Sequence, residues 1–119
     1  MDRAAWLAVA AVNGLIALVA HILSLLVLPE AGALASARLI EAGASFQALH
    51  ALALIGLCAL SWPRDNVAWF FLYGILFYSG GLYLHAAGMP AAVLVGAIIG
   101  GLLAAAGWLV LAASALSRG

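Results

Sequence analysis

The 119 residues are 69% hydrophobic and 7% charged, with four acidic and four basic side chains and no net charge. A soluble domain is about half apolar and about a quarter charged, so this chain could not cover itself with polar surface in water, and lipid is its natural solvent. Zero net charge argues against a nucleic-acid partner, and the single cysteine, Cys58, excludes an intrachain disulfide and a cysteine-cluster metal site.

A helix needs about 20 apolar residues to cross the hydrocarbon core. The chain has room for four such helices, and no linker is long enough to divide it, so residues 1–119 read as one all-α domain, an integral membrane bundle of four transmembrane helices. Asp2 and Arg3 precede a charge-free run, residues 4–28, broken only by Asn13, His21 and Ser24. At about 37 Å this run spans with some tilt. A cleaved signal peptide is the lesser reading, because signal cores are about 7–15 residues and this run is far longer.

Pro29 ends the first helix or opens the next. Residues 30–42 hold Glu30, Arg38 and Glu41 among alanines and leucines. Arg38 and Glu41, one turn apart, could pair, or both could be solvated. The segment reads equally as a short interfacial helix running into the second span or as a loop of helical propensity. The second span is residues 43–62, where Gln47 and His50 share a face, and Pro63 stops it. Arg64, Asp65 and Asn66 form a polar turn, with Asp65 or Asn66 placed to cap the third span, residues 67–87.

The third span contains Gly74 and Gly81, and Gly88 follows at the same seven-residue interval, so the three glycines predict a small face packed against another helix. Pro90 suits the first position of the last span, residues 91–113. That span carries Gly96 and Gly100 as G-x-x-x-G, with Gly107 extending the small face. Packing within the chain is the first reading of this motif and dimerisation the second.

Four spans put both termini and the 63–66 turn on one side. Arg3, Arg64 and Arg118 fall there against Arg38 alone on the other, which predicts cytoplasmic termini. Trp6, Trp62, Trp69 and Trp108 lie near the same side, as an interfacial belt would. His21, His50 and His85 fall toward the opposite side, with His21 and His50 each about 10 Å below the outer helix ends. Ser24, Ser45, Gln47 and Tyr83 share that half. Polar groups at matched depth are expected to pair with each other, because hydrocarbon offers them no water.

Several stretches resemble the small YgdD-like inner-membrane proteins, whose eukaryotic relatives are mitochondrial. Phe46-Gln47-Ala48-Leu49-His50-Ala51-Leu52-Ala53-Leu54 is similar to their second-helix motif, and Phe77-Tyr78-Ser79-Gly80-Gly81-Leu82-Tyr83-Leu84 to their third. Ala20-His21 and the Gly100-Gly101…Gly107-Trp108-Leu109 pattern match the first and last helices. The likeness covers about residues 10–113 and implies four helices in a bacterial inner or mitochondrial membrane. It implies no substrate and no catalytic residue. His85 and Gly81 depart from it, standing where an apolar residue and a second serine are usual.

Ionisable groups inside a membrane are functional candidates by default. His21, Gln47, His50, Tyr83 and His85 therefore form the candidate site, with Gln47 and His50 expected to share a partner or bridge to His21. The first reading is structural: neutral histidines satisfied within the bundle. The alternative is a haem, metal or quinone site using His21, His50 and His85. Cys58 reads as a small hydrophobe. Neither a nucleophilic triad, nor paired carboxylates, nor a phosphate loop appears. The expected function is that of a non-enzymatic inner-membrane protein without a cofactor, an accessory or assembly subunit of a larger membrane complex or a homo-oligomer. A small oligomeric transporter or channel is the weakest reading.

Overall fold

The computed structural model describes residues 1–62 and 65–119. The expected stop at Pro63 and the contribution of Arg64 to the polar turn and the arginine count lie outside the described residues. Four helices are each long and apolar enough to cross a membrane, and among the described residues there is no strand.

Helix α1 runs Arg3–Ile22 and continues as a π-helical turn over Leu23–Val27. Its start is set by Asp2, whose carboxylate accepts the Ala5 N–H at 2.8 Å and so satisfies one of the orphan donors at a helix N-terminus. The chain reverses through residues 28–33, where Gly32 has φ +78°, a conformation that glycine adopts without steric cost. Helix α2 then runs without a break over Leu34–Cys58. The expected second span, residues 43–62, is thereby corrected at both ends. Residues 34–42 are not a loop but the first turns of α2, as the reading of a helix running into the second span had it. The physical reason is the run of strong helix formers from Leu34 to Ala42, with nothing to interrupt it before Gly43.

Helix α3 spans Asp65–Ala86. Asn66 accepts the Val67 N–H at 2.9 Å, and Asp65 lies 3.7 Å from the Met1 amine. A turn containing Gly88, at φ +103°, leads through Pro90 into one turn of 3-10 helix, Ala91–Val93, and then α4, Leu94–Leu116. Gly88 thus belongs to the turn and not to the small face of α3.

Antiparallel neighbours pack in chain order, with α2 and α3 at the centre and α1 and α4 outside. The α3–α4 seam is built from glycines on both helices. A Cβ on Gly81 would lie 2.9 Å from the Val93 carbonyl oxygen, and one on Gly74 would lie 3.1 Å from both the Gly100 carbonyl oxygen and the Ala104 Cβ. At Gly100 it would strike the Tyr78 backbone nitrogen. The G-x-x-x-G pattern therefore serves packing within the chain, as its first reading held. Between α2 and α3, the Ser79 hydroxyl donates to the Gly43 carbonyl at 2.7 Å, and the Ser36 hydroxyl to that of Ala86 at 3.2 Å.

The apolar core sits toward the end that bears the termini, where Trp6, Leu54, Leu57, Val67, Phe71 and Ile75 interlock. Trp6 is 1% exposed and meets the Trp69 ring edge-on at 5.1 Å. Its Nε1 is the buried side-chain polar atom left without a partner among the described residues. Trp6 is therefore core, not part of an interfacial belt. Trp62, beneath the Arg118 guanidinium at 5.0 Å, fits the belt better.

Candidate functional site

The five candidate residues separate into four places. The first is a chain of hydrogen bonds across three helices. Tyr83 on α3 donates its hydroxyl to Gln47 Oε1 on α2 at 2.8 Å. Gln47 Nε2 donates to Asn13 Oδ1 on α1 at 2.9 Å, and Asn13 Nδ2 donates to the Val9 carbonyl at 2.9 Å. Gln47 and Asn13 are both buried. Every link joins a donor to an acceptor, so each amide group in the chain has a partner, as an apolar surrounding demands. Gly43 makes room for it: a Cβ there would stand 2.7 Å from the Tyr83 ring.

His50 is the second place, and it does not belong to that chain. Its Nδ1 lies 2.9 Å from the Phe46 carbonyl oxygen, and its Nε2 receives the Trp108 indole N–H at 3.2 Å. A carbonyl can only accept and an indole N–H can only donate. His50 is therefore the neutral imidazole with its proton on Nδ1. The ring is wedged between Phe46, at 4.2 Å, and Phe71, at 5.2 Å. Both nitrogens being engaged, His50 has no lone pair left for a metal without giving up the Trp108 bond. In histidine ring-nitrogen NMR, His50 is expected to show the Nδ1-protonated tautomer, and Trp108→Phe is expected to shift its Nε2 resonance while leaving that of Nδ1 nearly unchanged.

The earlier start of α2 also changes the depth of His50. It lies about 24 Å from the Leu34 end and only about 12 Å from the Cys58 end. It belongs to the terminus-bearing half, and the expected layer of three histidines does not form. Nor do Gln47 and His50 share a partner or bridge to His21: Gln47 reaches Asn13 and Tyr83, whereas His50 reaches Phe46 and Trp108.

His21 and His85 remain in the outer half, apart from each other in role. His85 Nδ1 lies 2.8 Å from the Met89 carbonyl oxygen, holding the turn that ends α3. His21 is half-buried and lines a groove between α1 and α2. Its carbonyl accepts the Ser24 hydroxyl at 2.8 Å where the α-helix passes into the π-turn. Among the described residues no group of three histidine, cysteine, aspartate or glutamate side chains is placed to hold a metal ion. Cys58 is a buried free thiol in the apolar core.

Two partners were missed by sequence reasoning. Asn13 was visible only as a polar interruption of the first span. An amide at mid-helix in an apolar run must find a partner, and that was the available signal. Trp108 reads from the sequence as part of the belt, and nothing there links it to a histidine 58 positions away.

Comparison with curated proteins and with solved structures returned no match. A family model does match, over residues 15–101, and its description reads "Protein of unknown function (DUF423)". The matched stretch includes His21, Gln47, His50, Tyr83 and His85, together with the glycine seam through Gly100. This four-helix chain belongs to the DUF423 family.

Proposed function

We propose that the chain is a YgdD-like, non-enzymatic protein of a bacterial inner membrane that acts as an accessory or assembly subunit of a larger membrane complex. The observation that carries this reading is the mutual pairing of the polar side chains that join the helices. The polar side chains that link the helices are consumed by one another or by backbone carbonyls: Tyr83, Gln47 and Asn13 in one chain, Ser79 on Gly43, and His50 between Phe46 and Trp108. Such pairing holds the helices in register, which is the work of a structural subunit. The termini and the α2–α3 connection lie at one end, where Met1 and Asp65 approach, and Arg3 and Arg118 against Arg38 on the other side support placing that end in the cytoplasm.

A haem or metal site on three histidines would need His50 to give up its Trp108 bond and to join His21 and His85 from a different depth. A transport path would need polar groups strung along the membrane normal, and here they run from helix to helix. The accessory reading is tested by mild-detergent extraction from native membranes, with chemical cross-linking before lysis. The expected result is recovery with the same larger subunits in repeated preparations; recovery as a lone monomer or a pure homo-oligomer overturns it.

A further inference from the structure

The groove between α1 and α2 has a volume of about 470 Å³. Ala10, Gly14, Ala17 and His21 of α1 face Ser45 and Ala48 of α2 across it. Because the helices are antiparallel, His21 and Ser45 fall at its outer end and the inner end is wholly apolar. From Ala10 to His21 the groove is about 17 Å long, so its mean section is about 28 Å². That section accommodates a single hydrocarbon chain.

Its outer end is chemically unfinished. Of the helical serines, Ser24, Ser36, Ser79 and Ser114 each donate to a carbonyl. The hydroxyl of Ser45 and both ring nitrogens of His21 have no partner among the described residues, and both side chains line this groove. Unpaired donors in hydrocarbon are costly and call for a partner from outside the chain. The depth of His21 limits what that partner is. It lies about 9 Å from the Val27 end of a span about 7 Å longer than the hydrocarbon, hence roughly 5 Å inside the hydrocarbon when the span is centred. Its Cβ, tilted toward the helix N-terminus, points deeper still. A phospholipid is held at the interface by its charged head and would present methylenes to His21. An uncharged head that accepts hydrogen bonds and enters hydrocarbon would meet both donors.

We propose that this groove binds one neutral lipid of the long-chain quinone class, its tail between α1 and α2 and a ring carbonyl accepting from His21 and Ser45. The π-turn that begins two residues after His21 is a feature often found where a helix is shaped around a function. The site does not depend on the accessory-subunit reading, which concerns protein partners.

The test is titration of the chain, in lipid nanodiscs free of quinone, with a decyl-tailed benzoquinone, counting bound quinone per protein. Saturation near one equivalent is expected. Gly14→Leu fills the groove from a position where an added Cβ meets nothing within 4 Å, with retention of the wild-type unfolding midpoint as the check on the fold; His21→Leu removes the donor. Each is expected to weaken binding by about tenfold or more. Gly80→Leu, equally open but on α3, is expected to leave it unchanged. The proposal is overturned by absence of saturable binding, by binding that survives both Gly14→Leu and His21→Leu, or by equal binding of a decyl benzene lacking the carbonyls.

Discussion

Replacing Gly100 by alanine is expected to destabilise the bundle, although the same change in an open helix would stabilise it. Alanine is the better helix former by about 1 kcal/mol. At Gly100, however, the added methyl would strike the Tyr78 backbone nitrogen and lie 2.7 Å from the Gly74 carbonyl oxygen and 2.9 Å from the Phe77 carbonyl carbon. These are backbone atoms of the facing helix, so no rotamer change relieves the clash, and α4 must move away from α3. Overpacking of this kind costs about 1–3 kcal/mol, enough to outweigh the propensity gain. Gly101 is the internal comparison. It stands next in sequence, but its added Cβ would make only an ordinary contact, 3.7 Å from the Tyr78 ring. Thermal or denaturant unfolding in detergent should therefore lower the midpoint for Gly100→Ala and hold or raise it for Gly101→Ala. Equal effects at the two positions would mean that the α3–α4 seam is looser than the geometry describes.

Gln47→Leu is expected to be the most costly change among the polar side chains. It removes the acceptor of the Tyr83 hydroxyl and the donor to Asn13 Oδ1 together. Interhelical hydrogen bonds in membrane proteins average about 0.6 kcal/mol and reach about 1.7 kcal/mol, so loss of two predicts about 1–3 kcal/mol. The diagnostic is a double-mutant cycle with Tyr83→Phe. In the native background that change leaves Gln47 Oε1 unpaired; in the Gln47→Leu background there is no acceptor to lose. The second cost should be smaller than the first by about 0.5–1.5 kcal/mol. Strict additivity would dissolve the chain into independent contacts.

The two predictions differ in how much of their basis the sequence held. Gly74 and Gly81 could be assigned to one helix face from their spacing alone, because a helix maps a seven-residue interval onto one side. The structure places them, as expected, against α4. Gly88 kept the interval but lies beyond Ala86, where the helix has already ended. Spacing does not reveal where a helix stops. The hydrogen-bond chain was half legible. Gln47 and Tyr83 were recognised as buried polar groups that must pair within the membrane; that they pair with each other, and that Asn13 completes the chain, depends on how three helices are docked.

What the sequence by itself determined is the solvent, the number of spans and their helical state. Those follow from composition and run length, since every backbone group inside hydrocarbon must be satisfied within its own segment. The tertiary structure decided depth and partnership. A stretch with Arg38 and Glu41 could enter the helix or cap it at equal local cost, and its joining α2 moved the start of that helix from residue 43 to Leu34. That shift placed His50 in the other half of the bundle, beside Trp108 and away from His21. Side-chain pairing is set by the register of packed helices, a property of surfaces distant in sequence. For that reason the histidines that look alike in the chain do three different things in the fold: His50 locks α2 to α4, His85 holds a turn, and His21 faces an open groove, its nitrogens unpaired among the described residues.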